Sequence, residues 1–81
     1  MKVFVLTLKE CVDYDDTITN FVYSSEEKAK NHLELALKEA EEYAKQNDWE
    51  FYATETGFTS YPEGYYSENH SQGFYSEYEV R

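Results

Sequence analysis

The sequence predicts an α+β domain: a small antiparallel sheet with one helix packed on one face, in the order ββαββ. Three observations carry this reading. Residues 3–8 form an apolar opening run, residues 24–47 repeat apolar side chains at helical spacing behind a capping signal, and alternation with period two runs over 49–56 and again over 73–80.

The first strand joins Val3 and Val5 on one face with Phe4, Leu6 and Leu8 on the other, so both of its faces are apolar. A second strand over 17–23 brings Ile18, Phe21, Val22 and Tyr23. The acidic connection between them is short, and sequential strands so joined pair as an antiparallel hairpin. The helix over 24–47 reads Ser24 with Glu27 as a capping box, and Ala29, Leu33, Ala36, Leu37, Ala40 and Ala44 as its inward stripe. Glu26 to Lys30, Glu34 to Lys38 and Glu41 to Lys45 are spaced to pair along its outer face, each contributing about 0.2–0.5 kcal/mol. The third strand turns Trp49, Phe51 and Ala53 one way and Glu50, Tyr52 and Thr54 the other, and Gly57 ends it. The fourth, over 73–80, alternates Phe74, Ser76, Tyr78 and Val80 against Tyr75, Glu77 and Glu79, the pattern of a half-exposed edge strand. Between them, 58–72 is a turn-rich connection, long enough to carry function or to hide another short strand. Of the nine tyrosines about half belong to packing, Tyr75 and Tyr78 first among them.

One helix covers only one face of such a sheet. The second apolar face of the first strand then needs the Tyr-rich connection, a homodimer partner or a target to shield it.

The chain of 81 residues is a single domain, 1–81, burying roughly 60–65% of the surface its unfolded form exposes. It carries 17 acidic against 7 basic residues, a formal net charge of −10, and 19% aromatic residues, too many large rings for a disordered chain. From 47 to 79 there is no lysine or arginine, yet ten of the fifteen aromatic residues lie there. That charge excludes direct binding to nucleic acid or anionic lipid, both of which need clustered cations, and points to neutral or basic partners. Lys9 and Glu10 end the opening apolar run before the length of an export signal or a membrane span, and the lone Cys11 suits a reducing compartment, so the chain reads as cytoplasmic.

No cofactor cradle, metal cluster or catalytic constellation stands out, and the reading is of a non-enzyme without cofactor. Asp13, Asp15 and Asp16 cluster in one loop as hard oxygen ligands for calcium do, but lack the glycine and distal glutamate of the twelve-residue calcium loop. His32 and His70 are too few and too far apart for zinc and read as surface residues. Cys11 and the serines have no base fixed beside them. What remains is protein recognition, in which tyrosines supply contact area and carboxylates pair with a partner's arginines. The candidate contacts are Asp13, Tyr14, Asp15, Asp16, Tyr61, Glu63, Tyr65, Tyr66 and Glu68. The alternatives are a dimeric accessory interaction domain and a small nucleotide-ligand binder that stacks a base on its tyrosines.

The segment Phe21-Val22-Tyr23-Ser24-Ser25-Glu26-Glu27-Lys28-Ala29, with Tyr61-Pro62-Glu63-Gly64-Tyr65 after it, resembles a group of small uncharacterised bacterial and phage domains. In these a Tyr-Ser-Ser cap opens the helix and a Pro-Glu-Gly turn precedes the last strand. In size and charge the chain is also similar to phage anti-CRISPR and anti-restriction inhibitors. That similarity implies an acidic inhibitor that imitates nucleic acid in the basic groove of a host defence nuclease, acting in the host cytosol.

Overall fold

The fold is that of a computed structural model, which describes residues 1–12, 15–62 and 69–80. Strands β1 (Lys2–Val12) and β2 (Asp15–Tyr23) are followed by helix α1 (Glu26–Asn47) and by β3 (Trp49–Ala53), β4 (Gly57–Pro62) and β5 (His70–Glu79). The strands form one five-stranded sheet in the order β2-β1-β5-β4-β3, every neighbouring pair antiparallel. The α+β class holds, while the order is ββαβββ rather than ββαββ.

The additional strand, β4, lies inside the segment read as a connection. Its period-two signal is weak because its inward positions are Phe58 and Ser60. A buried serine in a strand looks like loop, yet here its hydroxyl donates to the Glu50 carbonyl at 2.7 Å. Thr54 closes the β3–β4 hairpin by donating its backbone N–H to the Gly57 carbonyl at 2.8 Å. Gly57 thus follows the end of β3 and also begins β4. Inserting β4 moves β5 to the middle of the sheet, between β1 and β4, and leaves β2 and β3 at the edges. The edge character of Glu77 and Glu79 survives locally: β4 pairs with β5 only from Ser71 to Phe74, so the far half of β5 is paired with β1 alone.

Alternation assigns the faces. Phe4, Leu6, Leu8, Phe21, Tyr23, Phe51, Phe58 and Tyr75 point to the helix, where Leu6, Leu33 and Phe58 form the buried centre. The inward stripe of α1 is as the spacing predicts, with Ala29, Leu33 and Ala44 buried. Its cap is displaced by one residue. Ser25, in extended conformation, accepts the Lys28 N–H at 3.5 Å, so the acidic partner of a Ser24 box is not used and Glu26 and Glu27 instead meet the positive end of the helix. Of the predicted pairs, Glu26–Lys30 and Glu41–Lys45 close at 3.3 and 4.0 Å.

At the other end Asp48 takes the left-handed conformation, φ 56° and ψ 41°, and its N–H reaches the Ala44 carbonyl. A side chain there is strained, so Asp48→Gly should raise stability by roughly 0.5–1 kcal/mol, measurable as a shift of the urea midpoint.

The helix crosses the sheet diagonally. Near its start His32 packs edge-on against Phe21 of β2 at 4.5 Å and lies 2.6 Å from the Tyr23 hydroxyl; near its end Tyr43 meets Trp49 of β3 at 5.1 Å. His32 is therefore a half-buried packing residue and not the surface residue its sequence context suggests. His70, also half-buried, lies at the start of β5. Among the described residues no helix is long and apolar enough to cross a membrane.

Candidate functional site

The face of the sheet away from α1 is built by the odd positions of β1 and their partners. Val22, Val5 and Ser76 form one row, then Asn20, Thr7 and Phe74, then Ile18, Lys9 and Gln72, and finally Asp16, Cys11 and His70. No described element packs over this face. Val22 is 66% exposed, Ile18 60% and Tyr78 55%, values that identify an apolar surface on the outside of the domain. Tyr78 is thereby a surface ring, in contrast to the packing role its position suggests, while Tyr75 packs against the core as expected.

Of the nine candidate contacts, Asp15, Asp16 and Tyr61 are described, and Asp13, Tyr14, Glu63, Tyr65, Tyr66 and Glu68 lie outside the described residues. Asp15 and Asp16 are exposed at the start of edge strand β2; Tyr61 is exposed near the end of β4. Asp16 and Tyr61 share the uncovered face, whereas Asp15, one residue off, faces the helix side. All three lie toward the end of the sheet where β1 and β4 finish and β2 and β5 begin.

Two further residues complete the described part of this surface. Tyr52, opposite Thr59 on β4, stacks on Tyr61 with ring centroids 6.0 Å apart and 26° between planes, and its hydroxyl donates to Glu50 Oε2 at 2.9 Å. The alternation of Glu50 and Tyr52 is visible in the sequence, but only the sheet order reveals that they share the uncovered face with Tyr61. The hydrogen bond to Glu50, with a smaller contribution from Tyr61, pushes the Tyr52 phenol up to about 12. Spectrophotometric titration should find one tyrosine ionising near that value, and Glu50→Gln should bring it back toward the usual 10.0. With the folded-state value raised, any stability gained from this phenol is fully present below pH 10.0 and is lost as pH rises toward 12.

The described charges on this face are few. Lys9 places its ammonium 5.7 Å from the Phe74 ring centre, and Asp16 and Glu50 lie toward the end of the sheet where β1 and β4 finish. The surface thus mixes the apolar groups Val5, Ile18, Val22 and Phe74 with polar Thr7, Asn20, Gln72 and Ser76, and has an aromatic and acidic margin. Cys11 is buried within it, at 3% exposure. Among the described residues no group of three or more His, Cys, Asp or Glu side chains is placed to hold a metal ion.

A concavity of about 420 Å³ lies on the opposite side of the sheet, in the corner that the diagonal helix leaves uncovered. Comparison with protein-family profiles, curated proteins and solved structures finds no match to this chain.

Proposed function

We propose that this chain is a non-catalytic protein-binding domain whose uncovered sheet face docks on a basic partner. The observation that supports it most is a five-stranded sheet with its helix on one side only, presenting Val22, Ile18, Phe74 and the Tyr52–Tyr61 stack outward on a chain of net charge −10. Apolar and aromatic groups supply contact area; Asp16, Glu50 and the chain's overall field attract and orient cationic groups on the partner. The finer reading is an inhibitor that occupies the nucleic-acid groove of a host defence nuclease, as phage anti-CRISPR and anti-restriction inhibitors of similar size and charge do.

The test is capture of a partner from a bacterial extract at low salt on the immobilised domain, with elution by salt and, separately, by duplex DNA or RNA. A basic nucleic-acid-binding protein released by both supports the reading. Retention indifferent to salt and to nucleic acid overturns the mimicry mechanism. Charge reversal by Asp15→Lys with Asp16→Lys should slow association about tenfold at low salt while changing dissociation less, read by surface-binding kinetics.

A second reading is favoured by edge strand β2, whose residues 17–23 contain no charge, glycine or proline. Such an edge is open to pairing with another strand, and an antiparallel pairing of two copies about Thr19 would set Asp16 opposite Val22, keeping the carboxylates apart. Sedimentation equilibrium separates the two readings: a dimer abolished by Thr19→Pro supports self-association, and a monomer at all concentrations removes it.

A further inference from the structure

We infer that the corner cleft on the helix side binds a small amphipathic amine, an aryl- or alkylammonium group, independently of the sheet face on the other side. The cleft opens where small residues of the helix and of the sheet face one another. Ala36 and Ala40 of α1 face Thr17, Thr19, Ser60 and Ser71 of the sheet, where a closed core would place larger apolar side chains. Its volume of about 420 Å³ falls in the range of small-molecule sites.

Leu8 and Phe58 supply apolar lining, while Tyr43 and Trp49, packed edge to face at 5.1 Å, supply an aromatic wall. The carboxylates come from two elements. Glu39 shares one stripe of α1 with Ala36, Ala40 and Tyr43, and Glu10 stands in a helix-facing row of the sheet between Thr17 and Ser71, a position where the pattern of β1 would otherwise continue Phe4, Leu6 and Leu8. Lys9 and His70 also border the cleft, but the strand register places both in rows of the far face of the sheet, where the Lys9 ammonium lies over Phe74. An apolar lining, aromatic faces and two carboxylates together select a cation that carries an apolar body. A free amine and a lysine side chain of another protein share this chemistry.

The experiment uses the whole chain and its single tryptophan, Trp49, whose fluorescence reports on the cleft directly. Phenethylamine, phenethyl alcohol and phenylpropanoate are titrated in parallel, with lysine amide blocked at its α-amino group as the side-chain arm. The amine should change the Trp49 emission saturably and bind at least about tenfold tighter than the alcohol, with the carboxylate weakest. Saturation by the blocked lysine amide at comparable concentration assigns the site to a protein side chain; saturation by phenethylamine alone assigns it to a free amine. Glu10→Gln with Glu39→Gln should erase the preference for the amine over the alcohol, and Ala40→Leu should abolish binding of every probe. Both carboxylates are exposed, so the double variant should fold, and circular dichroism verifies it. Equal binding of amine and alcohol to the wild-type chain, an unchanged preference in the double variant, or no saturable response to either cationic probe overturns the inference. None of these outcomes bears on capture of a partner through the sheet face.

Discussion

Replacing Leu6 with alanine should lower the stability of this domain by about 2–5 kcal/mol, the range for emptying a fully buried leucine site. Leu6 has no exposed surface. It lies in the second strand of the sheet order, between Phe21 of β2 and Tyr75 of β5 on the helix side, and belongs to the same buried centre as Leu33 and Phe58. Neighbours on four elements hold the cavity open, because β1 is paired along both edges and cannot collapse into it. A domain of this length has about 4–12 kcal/mol in total. The variant should therefore lose at least about a sixth of its urea midpoint, and where the total lies at the lower end of that range a large fraction of it should be unfolded at 37 °C by far-UV circular dichroism. A change under 1 kcal/mol would mean that the helix does not pack on β1 as described.

Gly73→Ala should cost about 1–3 kcal/mol through overpacking. Gly73 pairs with Leu8 on one side and Phe58 on the other, and the Phe58 ring fills the space that a side chain on β5 would occupy. A Cβ at this position would lie 2.5 Å from Phe58 Cε1 and 2.9 Å from Leu8 Cδ2. Phe58 is itself 6% exposed and stacks on Phe51 at 6.0 Å, so it cannot swing aside without opening the buried centre. The double variant Gly73→Ala with Phe58→Leu should be less destabilised than the sum of the two single changes, since the shorter side chain makes room for the methyl group. Strict additivity in denaturant unfolding would contradict this contact.

Those two residues also explain where the sequence was readable and where it was not. The apolar run of β1 and the stripe Ala29, Leu33, Ala44 announce a strand with two hydrophobic faces and a helix that can cover only one of them, and the fold follows that prediction. The strand that was hidden is the one whose inward positions are a phenylalanine and a serine, stitched to β5 through a glycine. Its pairing depends on the Phe58 ring lying over Gly73 and on the Ser60 hydroxyl finding the Glu50 carbonyl, contacts between residues far apart in sequence. The position of β5 at the centre of the sheet is likewise a product of β4 inserting beside it.

The candidate surface was legible in composition more than in geometry. The absence of cations from 47 to 79 and the run of tyrosines single out this segment as a candidate, but three of its described rings, Phe51, Phe58 and Tyr75, serve the core. Glu50 and Tyr52 join Tyr61 only through strand pairing. The two acidic residues at the start of β2 separate to opposite faces by simple alternation, so Asp16 and not Asp15 shares a surface with the rings. The corner cleft depends on the crossing direction of α1, which no local pattern encodes.

The claim on which the functional account rests is that a partner engages the uncovered sheet face and not the helix. Side-chain NMR signals of the labelled domain, recorded free and bound to the captured basic protein, measure this most directly. The account predicts that Val5, Ile18, Val22, Tyr52, Tyr61 and Tyr78 shift or broaden while the outer-face helix residues Leu35 and Lys38 keep their free-state signals. Shifts confined to the helix, with the methyl groups of Ile18 and Val22 unchanged at saturation, would contradict it.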